Sequence, residues 1–152
     1  MTKDSTQTIV LPDMPVARGS FGCGRVNNRI YAIGGHVGAS HSWNEDNYTN
    51  RVDCFDIASN QWLPECAQRP VAAEGFRLVP FENSMYAFGG FIYAPPEQNQ
   101  ANQYTGISTS QVERYDTVND CWESVSSLPT PRSDNMIGII DETVYLLSLI
   151  HI

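Results

Sequence analysis

The sequence predicts an all-β fold assembled from a repeated unit of four short antiparallel strands. Three observations carry that prediction. The stretch Ile30-Tyr31-Ala32-Ile33-Gly34-Gly35 returns as Met85-Tyr86-Ala87-Phe88-Gly89-Gly90, and a third copy opens at Val144-Tyr145-Leu146 before departing from the pattern. Framework spacings repeat as well: Arg18 precedes Tyr31, and Arg132 precedes Tyr145, by thirteen residues, while Asp56 precedes Trp62, and Asp116 precedes Trp122, by six. Nowhere does an apolar pattern hold a helical period over three turns.

Each element follows from its residues. In the first unit the glycine-rich stretch of residues 19–26 reads as an extended strand. Asn27-Asn28 is a tight hairpin turn, because asparagine tolerates positive φ. Residues 29–33 alternate and end at the paired glycines, where a side chain would obstruct a sharp change of direction. A polar loop covers residues 36–50, residues 51–56 alternate again as a third strand, and Gln61-Trp62-Leu63 opens a fourth before Pro64.

The second unit repeats this order. Its first strand is expected over residues 70–79, a turn over residues 81–84, and a second strand over residues 85–88. A long loop then spans residues 91–111, followed by a third strand over residues 112–116 and a fourth opening at Cys121-Trp122-Glu123. In both units the residue two before the tryptophan, Asn60 or Asp120, suits a left-handed corner. A third unit begins with a strand over residues 135–140, a turn at Asp141-Glu142 and a strand from Thr143. The tryptophans recur after 60 residues, and the excess over a basic repeat of about 50 lies in the loops after the paired glycines.

Composition excludes several classes of function. The 152 residues carry a net charge of −8, and the nine Lys and Arg form no cluster, so a nucleic-acid surface is not expected. No apolar run approaches the length of a membrane span, and residues 1–7 are polar, so the expectation is a cytoplasmic protein without membrane contact. Cys23, Cys54, Cys66 and Cys121 show no paired close spacing and are read as reduced thiols rather than a zinc or redox motif. His36, His41, Glu45 and Asp46 match no metal-ligand spacing, so no metal, cofactor or catalytic residue is assigned.

The glycine pair, the aromatic-Asp pair and the later tryptophan together resemble the kelch repeat. The landmarks are Gly34, Gly35, Phe55, Asp56 and Trp62 in the first unit, and Gly89, Gly90, Tyr115, Asp116 and Trp122 in the second. Phe55 stands where the family has tyrosine, keeping the ring and losing the hydroxyl. The resemblance covers residues 14–147. It implies a β-propeller in which each unit is one four-stranded antiparallel blade. The aromatic landmarks are then expected to fill the wedges between blades, and Gly22, Gly24, Gly75 and Gly138 to relieve crowding at the innermost strands.

Residues 14–65 then form blade 1, residues 66–127 blade 2, and residues 128–146 part of blade 3. A propeller closes with roughly four to eight blades, so this is a propeller fragment and an incomplete ring. Residues 1–13 are a lead in which residues 8–11 are expected to act as a closing strand. Residues 147–152 match one reading frame of a sequencing-library adapter and are read as a non-native tail.

The resemblance also implies binding through loops at one mouth of the channel. Candidates from the first loop are His36, Trp43, Asn44 and Tyr48. The second loop contributes Phe91, Tyr93, Glu97, Asn99, Gln100 and Tyr104, and the strand entries contribute Ser20, Glu74, Ser133 and Asp134. A surface rich in aromatics and amides points to another protein or peptide as partner, or to a carbohydrate. Asp56 and Asp116 are turn formers, and Arg18 and Arg132 are structural donors to carbonyls between blades. The alternative is a sugar enzyme of the same fold, a sialic-acid mutarotase or epimerase or a galactose-oxidase-like oxidase, with Tyr93 and Tyr104 stacking on the ring and Glu97 as acid or base.

Overall fold

The structure, a computed structural model, describes residues 8–38, 44–95, 97 and 106–147. Two four-stranded antiparallel sheets account for most of it. The first runs in the order β1 (Gly22–Val26), β2 (Arg29–Ile33), β3 (Val52–Asp56) and β4 (Gln61–Trp62). In the second, β5 (Arg77–Phe81), β6 (Ser84–Phe88), β9 (Gln111–Asp116) and β10 (Cys121–Ser127) pair in that order. A short hairpin of β7 (Phe91–Tyr93) and β8 (Gly106–Ser108) rises from the loop after the second glycine pair, where sequence pattern alone predicts only a loop. A final hairpin joins β11 (Met136–Ile140) to β12 (Thr143–Leu147).

Turn chemistry sets the register. Val26 pairs with Arg29 across Asn27-Asn28, and Asn27 takes a φ of 53°. Asp141 and Glu142 both take positive φ between β11 and β12. Asn60 and Asp120 are left-handed at 55° and 50°, as their place two before each tryptophan predicts. The carboxylates of Asp56 and Asp116 accept backbone N–H bonds from Ala58 and Ser59, and from Val118 and Asn119. The Asn119 side-chain amide, donating to Asp116 at 2.9 Å, and then the backbone donors hold the Asp116 carboxyl below the usual range, as the Ser59 and Ala58 N–H groups do that of Asp56, and both are turn formers.

The core is the seam between the two sheets. Val26, Tyr31, Ile33, Val52 and Cys54 of the first meet Phe76, Met85, Ala87 and Tyr115 of the second, with Trp122 packed against the group. Tyr31 meets Tyr115 edge-on at 5.8 Å, and Tyr115 stacks on Trp122 at 5.0 Å. Phe55 and Trp62 lie on the opposite side of the first sheet from this seam. Cys54 points into the seam, so Phe55, next to it on a period-two strand, faces the other way. Phe55 packs on Trp62 at 5.3 Å, and the Trp62 indole N–H donates to the Pro12 carbonyl at 3.1 Å. The lead therefore crosses that face of the first sheet. Residues 8–11 are irregular, have no ladder partner among the described residues, and leave Ile9 and Val10 exposed.

Glycines behave in two ways. An added Cβ at Gly22 would lie 2.5 Å from the Phe76 ring, and one at Gly24 would lie 2.9 Å from the Met85 sulfur. Both sit where inner strands approach across the seam. Gly75 serves a left-handed corner with φ of 60°, and Gly138 has open space around it, so neither relieves strand crowding as expected.

Around the final hairpin, Met136, Ile139, Ile140, Tyr145 and Leu147 are all at least half exposed. Their ladder edge and apolar side chains lie beside a groove lined by Leu78, Val79, Pro80 and Ile137. A contiguous apolar patch on an open sheet drives association. Expressed alone, the chain is expected to sediment as dimers or larger species at micromolar concentration, and Ile139→Thr with Leu147→Thr should raise the monomer fraction. A chain monomeric up to millimolar concentration would contradict this.

Candidate functional site

At one end of the sheets, the segments that enter β1 and β5 meet the segments that leave β2 and β6. The paired glycines make this possible. Gly35 N–H donates to the Ala73 carbonyl, and Gly90 N–H donates to the Arg132 carbonyl, each at 2.8 Å. Each second glycine thus ties its own unit to the entry of the next. A second backbone thread runs beside it: Gly75 N–H donates to the Ser20 carbonyl at 3.0 Å, and Asp134 N–H to the Gly75 carbonyl at 2.7 Å. Ser20 and Asp134 take positive φ of 52° and 50° to do this, leaving their side chains exposed.

On this rim the structure gathers most of the predicted residues that it describes. His36 bridges both Gly19 and Tyr48, and its ring meets Tyr48 edge-on at 6.2 Å. Tyr48 lies 6.4 Å from Phe91 and 6.3 Å from Tyr93, so one side chain from the first unit's loop joins two from β7. Glu74 pairs with Phe91 through two backbone bonds of 3.0 and 2.7 Å. Ser133 lies 3.0 Å, hydroxyl to hydroxyl, from Ser108, which the sequence reading did not single out. Asn44 is exposed just ahead of a 3-10 turn over Glu45–Asn47, and Glu97 is exposed beyond β7. Trp43, Asn99, Gln100 and Tyr104 lie outside the described residues, as does His41.

The electrostatics of the rim are acidic and apolar together. Tyr48 is only 6% exposed, and its hydroxyl finds no hydrogen-bond partner among the described residues. Burial, and then the negative charge of Glu74, push its phenol well above the ordinary tyrosine value. Phe91 and Tyr93 remain half-buried, with Glu74 beside them. Among the described residues no three His, Cys, Asp or Glu side chains come together to hold a metal.

Beneath the rim, buried ion pairs hold the strands that carry it. Arg18 donates to Asp53 at 2.6 Å and to the carbonyls of Gly34 and Ala32 at 2.8 Å each. These acceptors belong to the first sheet, so Arg18 braces one unit internally and does not bridge two. In the second unit the position matching Arg18 is Ala73, and the spacing rule has no arginine to offer. Arg69, four residues earlier, takes the role. It donates to Glu113 at 2.6 Å and points a second N–H at the Gly89 carbonyl at 3.4 Å. Arg18 lies over the Phe21 ring at 5.7 Å and Arg69 over the Phe76 ring at 4.2 Å. Arg132 enters through its backbone, accepting from Gly90 and donating to Thr109.

The kelch motif matches residues 17–64 and 74–129. A cowpox virus protein, "Kelch repeat and BTB domain-containing protein 2" of strain Brighton Red, is 28% identical over 147 residues, covering 91% of this chain and 25% of that protein. The human "Kelch repeat and BTB domain-containing protein 8" is 29% identical over 122 residues, covering 80% of this chain and 19% of that protein. The chain thus spans a quarter or less of the curated relatives it matches. A solved structure titled "Structure of YjhT" superposes with a TM-score of 0.66 at 16% identity, covering 90% of this chain and 35% of that one, a likeness of fold alone. With two motif matches across most of its length, landmarks at their predicted places and two stitched four-stranded sheets, the chain belongs to the kelch-repeat family, and its sheets are blades of a β-propeller.

Proposed function

We propose that this chain is a protein-binding module, and that it binds through the rim where Tyr48, Phe91 and Tyr93 meet beside Glu74. The observation that supports this reading is the joining of two blades' loops through one aromatic group. Such a group is held rigidly by the backbone threads below it, while its outer rings stay half open. Rigid, half-exposed aromatics are the side chains around which protein interfaces concentrate their binding energy. Glu74 and Asp134, on a chain of net charge −8, favour a partner segment bearing Lys or Arg, which aromatic faces also attract.

Selection of displayed random peptides on the full chain tests this. The binders are expected to be rich in cationic and aliphatic residues. Tyr93→Ala should weaken them by about tenfold or more, the loss of an interface anchor worth over about 1.4 kcal/mol. Glu74→Gln should weaken the cationic ones selectively, and Arg25→Ala, at the far end of the first blade, should change nothing. Peptides that bind Tyr93→Ala and Glu74→Gln as tightly as the unaltered chain would place the binding surface elsewhere.

A further inference from the structure

The seam that follows β5 is built differently from the one that precedes it. In the first blade Gly22 pairs with Ile33 and Gly24 with Tyr31; in the second, Arg77 pairs with Phe88 and Val79 with Tyr86. Ile33 and Phe88 each stand just before a glycine pair, so Arg77 and Val79 occupy the places of Gly22 and Gly24. At the first seam the glycines admit the opposing side chains: a Cβ added at Gly22 would lie 2.5 Å from Phe76 and 2.8 Å from Leu78. At the second seam, side chains already fill that room. The opposing position is changed too. Phe76 follows the left-handed Gly75, whereas Asn135, which follows the left-handed Asp134, puts a short amide where the ring would be. More bulk on β5 and less ahead of β11 keep the inner strands apart, and a groove of about 460 Å³ opens between them.

The lining of this groove is apolar with one exception. Val79, Pro80, Met136, Ile137 and Ile139 supply the walls, and Arg77 supplies the charge. Arg77 and Met136 open their strands, which puts them at the end nearest the rim, while Val79, Pro80 and Ile139 lie further along. On a chain of net charge −8, the Arg77 side chain makes no ion pair or hydrogen bond among the described residues. Pro80 takes its place opposite Met85 without an N–H, so β5 offers a poor edge for an added strand. The volume falls within the range of small-molecule sites, roughly 300–1,000 Å³. A free guanidinium at one end of an apolar trough matches a ligand with one anionic head and an aliphatic body, and its forked N–H groups suit a carboxylate. We propose that the groove between β5 and β11 binds a medium-chain aliphatic carboxylate, with the head on Arg77 and the tail running between the strands towards Pro80 and Ile139. This site is separate from the aromatic group of the rim and does not depend on peptide binding there.

Calorimetric titration of the full chain with hexanoate, octanoate and decanoate tests this. One carboxylate should bind per chain, tighter by about three- to fourfold for each added methylene. Arg77→Gln should weaken decanoate by about tenfold and leave decanol, which has the same tail and no charge, unchanged. Met136→Asp, which sets a carboxylate at the Arg77 end, should weaken decanoate more than decanol. Both residues are exposed, so the two variants should melt with the unaltered chain. Decylammonium, with the same tail and the opposite charge, should not compete. Decanol that binds as tightly as decanoate, an Arg77→Gln variant that keeps full decanoate affinity, or binding that fails to saturate would each overturn the proposal. So would loss of the site as chain concentration rises, which would give the groove to a second copy.

Discussion

Replacing Arg69 by alanine is expected to destabilise the chain by about 3–5 kcal/mol, because it leaves a buried carboxylate without its counter-charge. Arg69 is fully buried and Glu113 is 4% exposed. The guanidinium stands 2.6 Å from the carboxylate and lies over the Phe76 ring. Burial weakens its hold on the proton and the charge of Glu113 opposes that, but a guanidinium stays protonated in either case. Alanine would also empty the space over Phe76. Equilibrium urea unfolding should show the loss as a lower midpoint. Two further variants separate the causes. Arg69→Met with Glu113→Leu removes both charges and keeps the volume, and should recover most of the loss. Arg51→Ala, at a half-buried arginine paired with Asp53 at 2.7 Å, should cost under about 1 kcal/mol because Arg18 still holds Asp53. If Arg69→Ala unfolds with the midpoint of the unaltered chain, the second blade does not depend on this brace.

Why Arg69 escapes a reading of the sequence shows what such a reading can reach. Periodicity and turn residues are local, and their consequences survive folding: the glycine pairs, the left-handed Asn60 and Asp120, and the turn-forming Asp56 and Asp116 all stand as their spacing predicts. Arg69 does not lie at the repeated position. Ala73 vacates it, and only the path of the linker shows that a side chain from four residues earlier reaches the same carbonyl and the matching acid. Cys66 lies a turn and a short strand beyond Cys54, and its packing against the same core follows from how residues 63–66 track β3, which no spacing rule records. The rim is intermediate. Its loops are legible as loops because they follow the glycine pairs, but the meeting of Tyr48 with Phe91 and Tyr93 depends on how far one blade is rotated against the next.

Gly89→Ala is expected to be the most damaging single-methyl change in the chain, costing more than about 3 kcal/mol, because conformational strain and a backbone collision act at one atom. Gly89 has a φ of 61°, where an L side chain costs about 1–2 kcal/mol before any contact is considered. The added Cβ would stand 2.3 Å from the Arg132 carbonyl oxygen and 3.2 Å from that of Thr109. Backbone atoms cannot swing aside as a side-chain end can. The Arg132 oxygen is also the acceptor of the Gly90 N–H, so moving it breaks the bond that ties the second blade to the segment entering β11. Gly138→Ala is the matched control: it sits mid-strand with nothing within 4 Å of the added Cβ, and should be neutral or stabilising by up to about 1 kcal/mol through the unfolded chain. Hydrogen exchange should locate the damage. In Gly89→Ala the amides of Gly90 and Asp134 should lose protection while those of β1 and β2 keep theirs. Full protection at Gly90 in that variant would mean that the third unit is held by its side chains and not by the glycine pair.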